Sequence, residues 1–144
     1  MVRSREQNLT MIMIKRVISL SWYDCLDRTK FLKDLYLTVP EIDSVRIESI
    51  TCDRELTIAT IKFDMPTLPD VVPAKWKNKS HDHVCVTIEM TPVTYFSAKY
   101  SKIKSSKGGI TIINNNGDYI LKVIGCVEAT IQFDYGYIKN INPY

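Results

Sequence analysis

A chain of 144 residues, 45% hydrophobic and 24% charged, is long enough to bury a core without disulfides or metal, and it reads as one domain over residues 1–144. Nineteen basic residues against sixteen acidic ones leave a charge of +3. The basic residues are scattered among acids, which argues against nucleic acid as the partner. Four widely spaced cysteines, Cys25, Cys52, Cys85 and Cys126, form no C-x-x-C pair and read as isolated thiols of a reducing cytoplasm.

In chain order, residues 1–10 are polar and read as a disordered lead outside the fold, with Met11 or Met13 as an alternative start. The apolar run Met11–Ile14 breaks at Lys15-Arg16, too short and too charged for a membrane span, and no small-residue cleavage site follows. The expected location is the cytoplasm, with no membrane contact. One helix is predicted over 21–36. Ser21 caps it, Asp24 serves as an imperfect capping-box partner, and Trp22, Leu26, Phe31, Leu32 and Leu35 give a partly helical apolar stripe. Pro40 ends it, because the residue before a proline avoids the helical region.

From residue 43 to 141 the signals are those of strands. Val45–Cys52 and Leu56–Asp64 flank Asp53-Arg54-Glu55 as a hairpin. Val45 and Ile47 share one face while Ile50 and Cys52 share the other, so either a bulge lies near Ser49 or both faces are buried. His83–Met90 alternates cleanly, and Thr91-Pro92 is expected to turn the chain into Val93–Tyr100. Asn116-Gly117 between Ile110–Ile113 and Tyr119–Ile124 is a strong hairpin signal. Cys126–Phe133 alternates strictly, and a last strand is expected over Tyr137–Ile141. The fold class is therefore mainly β (α+β). The expected architecture is an antiparallel β-sandwich or strongly curved sheet of about seven to eight strands, with one N-terminal helix packed on it.

The connector Met65–Lys77 places Pro66, Pro69, Pro73 and Trp76 between two strand-like runs. Prolines withhold the donors a sheet needs and favour a stiff, extended path. A stiff loop with a large aromatic residue loses little entropy on contact, which suits recognition. Residue statistics favour the plainer reading, in which Trp76 plugs the end of the core.

His81, His83 and Cys85 fall on one face of an extended strand, the only spacing that resembles a metal site. Each step along that face is nearly 7 Å at about 3.3 Å per residue, so a metal would need ligands from a neighbouring strand. An incidental strand start is the commoner reading. No nucleophile turn, phosphate-binding loop or dinucleotide fingerprint occurs, and no catalytic residue or cofactor is expected. Tyr135, Tyr137 and Trp76 are candidates for an aromatic binding patch, although strand surfaces and core edges account for most of the tyrosines.

The order of features resembles the immunity protein 50 family of bacterial polymorphic toxin systems. The resemblance rests on Trp22 ahead of Phe31, Leu32, Leu35 and Tyr36, on Pro40 before the first long strand, and on P-A-K-W at Pro73–Trp76. It spans residues 20–141, with one departure: Ala98-Lys99-Tyr100 stands where a Gly-Trp would be expected. What the resemblance implies is a non-enzymatic protein that neutralises a cognate toxin domain by binding it, with Trp76, Lys75, Pro73 and Trp22 as partner-binding or signature positions. Two other classes remain open: a small ligand- or nucleic-acid-binding β module, and a metal-dependent enzyme using His81, His83 and Cys85. The isoelectric point of 8.6 argues against a very basic nuclease as the toxin.

Overall fold

The computed structural model describes residues 21–77, 81–101 and 105–144. The expectations for residues 1–10 and for the run Met11–Ile14 lie outside these. Six antiparallel strands form a closed barrel: β1 (Val45–Cys52), β2 (Ala59–Asp64), β3 (Val84–Tyr100), β4 (Lys107–Asn115), β5 (Asp118–Gly125) and β6 (Val127–Pro143). Around the barrel the order is β1-β2-β3-β6-β5-β4.

This corrects the sandwich of seven to eight strands. Two expected pairs of strands are single long ones. Thr91-Pro92 does not turn the chain; Pro92 sits just past Ala59↔Met90, the last rung between β2 and β3. A missing N–H there costs no ladder bond on that side. Likewise Cys126–Phe133 and Tyr137–Ile141 merge into β6. The two long strands pair from Val84↔Pro143 to Tyr100↔Val127 and form the backbone of the barrel. Closure replaces a second layer, and it removes free edges that a sandwich would leave.

The bulge expected near Ser49 is present, as the β1–β2 register shifts between Ile47 and Ser49. That extra residue turns Ile50 inward after Val45, so both phases of the strand reach the core. The Asn-Gly turn also forms: Asn116 and Gly117 have φ of 54° and 93°, the left-handed pair that a two-residue hairpin requires. The first hairpin is longer than expected. Asp53 Oδ1 accepts from the N–H groups of Thr57 and Ile58, and β2 starts only at Ala59.

The continuous helix over 21–36 is not formed. A 3-10 turn covers Trp22–Cys25, and α1 covers Lys30–Leu35. Between them Asp27 donates its N–H to Gly136 O (2.9 Å) and accepts from the N–H of Ile138 (3.1 Å), a bridge onto β6. Leu26 and Leu32 are six positions apart, a spacing that one helix face does not offer. Breaking the helix lets Leu26, Leu32 and Leu35 all enter the core. Asp24 keeps its capping role by accepting from the Ser21 N–H at 3.1 Å. This segment reaches Phe63 of β2, Ile112 of β4 and Gly136 of β6, so it covers one open end of the barrel.

Inside lie Phe63, Phe133, Ile61, Ile88, Met90, Leu121 and Ile131, all fully buried. No helix of the described residues is long and apolar enough to cross a membrane.

Candidate functional site

The proline-rich connector is braced from three sides. Tyr36 Oη donates to Thr67 O at 2.7 Å, Asp70 accepts from the Leu37 N–H at 2.9 Å, and Val71 N–H donates to Leu35 O at 3.0 Å. Burial, with the nearby Asp70 charge, pushes the Tyr36 phenol up to about 12. Its last turn is Ala74–Trp76, opened by Pro73, whose carbonyl accepts the Trp76 N–H at 2.9 Å.

Trp76 itself is only 3% exposed. Its ring meets Phe31 and His81 edge-on at centroid distances of 5.7 and 5.9 Å. It plugs the core, as residue statistics favour. Lys75 is exposed, with Nζ 4.5 Å over the Phe31 ring rather than beside a carboxylate. Trp22 is equally buried, donates Nε1–H to Pro40 O at 3.1 Å and packs edge-on against Phe63. The side chains that the connector presents to solvent are others: Leu68, Val71 and Val72, beside Leu37 from the end of α1.

His81, His83 and Cys85 do not converge. His81 packs on Trp76, His83 on Tyr144 at 5.1 Å, and the Cys85 thiol donates to Glu48 Oε2 at 3.5 Å. Among the described residues no three His, Cys, Asp or Glu side chains gather as a metal would need. Burial first, then the Glu48 carboxylate, push the Cys85 thiol up to about 11, which keeps it protonated and unreactive at neutral pH.

Two carboxylates, Asp64 at the end of β2 and Glu89 on β3, sit among aromatic neighbours. Asp64 accepts from Tyr144 Oη at 2.6 Å and pairs with Arg46 at 3.5 Å, while its Oδ1 is buried without a partner among the described residues. Glu89 accepts from Tyr137 Oη and from Lys139 Nζ, the latter at 2.9 Å. Those two hydrogen bonds hold the Glu89 carboxyl below its usual range. Glu89 is therefore not poised to take up a proton at neutral pH. Arg28, at φ 58°, stacks over Tyr137, and Tyr135 lies 5.5 Å from Tyr137. The aromatic patch therefore exists without Trp76, whose place is the core.

A second feature could not be read from strand patterns. Among the described residues β1 meets β4 through two residue pairs, Val45↔Gly108 and Arg46↔Lys107, followed by Ile47 N–H to Ser106 O at 2.9 Å. Every other pair of neighbours in the barrel shares at least five. Beyond this, among the described residues, a hollow of about 460 Å³ lies along β1, lined by Ile47–Thr51, Tyr100, Ser101, Ser105, Cys126 and Val127.

These side chains sit on a small, mainly β scaffold, a closed barrel of six antiparallel strands. The chain is a member of the immunity protein 50 family, whose model matches residues 28–144. No curated protein matches it, and no solved structure does.

Proposed function

We propose that this protein binds a cognate bacterial toxin domain and neutralises it by blocking its surface, acting as one domain in the cytoplasm of the cell that makes it. The observation that carries this reading is the family match over residues 28–144. The physical demands of inhibition by binding are modest: a stiff scaffold that loses little entropy on association, and a few buried anchors at the contact. No catalytic residue or cofactor enters the mechanism.

Within this reading the signature positions serve the scaffold. Trp76 and Trp22 anchor the connector and the capped end, Pro73 sets the turn that aims Trp76 inward, and Lys75 covers the Phe31 ring from outside. Partners differ between relatives while a fold is kept, so a shared motif belongs in the core.

Co-expression with the toxin domain encoded beside this gene tests the proposal. Growth rescue together with a stable complex on a sizing column is the expected result. Continued toxicity with no complex would overturn it for that pair.

A further inference from the structure

Arg28 stands where the backbone favours glycine or asparagine. Its φ of 58° lies in the left-handed region, which costs a bulky residue free energy. The flanking residues impose that turn. Asp27 is pinned to β6 through its N–H to Gly136 O and its C=O to the Ile138 N–H. One residue past Arg28, Thr29 opens α1 and accepts the Lys33 N–H at 3.0 Å. The turn asks for a small residue, yet an exposed arginine occupies it.

A chain of contacts fixes where that side chain sits. Tyr137 Oη and Lys139 Nζ both donate to Glu89, which holds the Tyr137 ring in place. The Arg28 guanidinium lies 4.7 Å from the centre of that ring, and Tyr135, 41% exposed, lies beside it at 5.5 Å. Tyr135 is held in turn by a hydrogen bond to the Asp27 carboxylate. Glu89 and Asp27 are thus engaged by the two tyrosines and Lys139, while Asp134 faces a hollow of about 260 Å³ whose lining does not include Arg28. Among the described residues Arg28 forms no ion pair, and the backbone segments on either side of the tyrosines, β3 and Asp27, are both described. An exposed stack on one ring returns less than the left-handed backbone costs.

We infer that Arg28, seated on Tyr137 and flanked by Tyr135, receives an Asp or Glu side chain of the partner protein. This rests on the reading of the chain as a toxin-binding inhibitor, and it names where and by what chemistry the toxin is held. A guanidinium fixed on a ring offers a planar fork that matches a carboxylate, with little side-chain entropy left to lose. Arginine and tyrosine are also the residue types that dominate binding energy at interfaces, where neighbouring rings keep water from the contact. The overall charge of +3 favours the approach of an acidic surface. A nucleic acid fits less well, since its repeated phosphates would meet Asp27, Glu89 and Asp134 around Arg28.

The affinity of the full chain for the toxin domain encoded beside its gene, measured for wild type, Arg28→Gly and Arg28→Lys with urea unfolding alongside, tests the inference. Glycine suits a φ of 58°, so Arg28→Gly should stay folded. It should bind about thirtyfold or more weakly, and its affinity should depend less on salt than that of the wild type. Arg28→Lys keeps the charge and loses the fork, and should bind about tenfold more weakly. Wild-type affinity in either folded variant would overturn the contact and leave the inhibitor reading standing. Weaker binding with unchanged salt dependence would contradict a carboxylate as the occupant. No complex with the wild type overturns both readings for that toxin. A single-stranded oligonucleotide that binds the free chain, and fails to bind Arg28→Gly, would assign the patch to nucleic acid and refute the proposal.

Discussion

Trp76→Ala distinguishes a core plug from a contact residue. A fully buried tryptophan removes about 250 Å² from water, worth about 6 kcal/mol at 25 cal/mol per Å² as an upper bound. Its edge-on contacts with Phe31 and His81 add about 0.5–1.5 kcal/mol each. Relaxation of the three-residue turn Ala74–Trp76 into the space recovers part of this. The net cost should be about 4 kcal/mol, within the usual range for large-to-small core changes. Against a total stability of about 5–15 kcal/mol, that is a large share. Urea unfolding followed by circular dichroism should show the loss as a lower midpoint with unchanged slope, and a melting temperature lower by about 8–16 °C. A loss under about 1 kcal/mol, typical of surface positions, would refute the placement of Trp76 in the core, the more so if toxin binding were abolished.

Other expected outcomes follow from single sites. Gly109→Ala should destabilise the β4 end of the barrel by about 1–3 kcal/mol, because an added Cβ would lie 2.6 Å from the backbone oxygen of Asp43; a neutral effect in urea unfolding would show that this close approach is not real. Gly117→Val, at φ 93° with open space around it, should cost about 1–2 kcal/mol through the backbone alone, and the same measurement checks it. Cys85 should react with iodoacetamide at pH 8 about tenfold more slowly than a free thiol. A thiol pushed up from 9.0 to about 11 has roughly a hundredth of the thiolate, offset in part by greater nucleophilicity. Glu89 is held below its ordinary 4.5 in the folded state, first by Tyr137 and then by Lys139. Its contribution is therefore complete above that value and disappears as pH falls through the lower folded value. The stability gap between wild type and Glu89→Gln should close in acid; a gap that widened there would contradict the pairing.

Much of the barrel was legible because period-two alternation and turn chemistry are local. Asn116-Gly117 and the phase slip at Ser49 each dictated a local shape that tertiary structure did not override. Pro92 misled for a physical reason: a proline interrupts a strand only where a neighbour wants its N–H, and the β2 ladder stops at Met90. The helix over 21–36 failed through a bridge between residues more than a hundred positions apart, Asp27 and Tyr137, which no local pattern records. Closure of the sheet is of the same kind, since it brings together β1 and β4, some sixty positions apart, through pairs such as Val45↔Gly108. At the candidate site, P-A-K-W was visible as a motif, yet whether Trp76 faced in or out was decided by Phe31 and His81. The metal spacing of His81, His83 and Cys85 was real along the chain. It dissolved because each side chain found a different neighbour.

The central claim is that this chain inhibits by occupying a toxin rather than by turning over a substrate. Titrating the chain into a fixed amount of the toxin domain, with residual toxin activity as the readout, tests that claim most directly. Binding predicts a linear loss of activity that ends at one equivalent and returns when the complex is separated. Complete inactivation by a small fraction of an equivalent would demonstrate turnover and contradict the account.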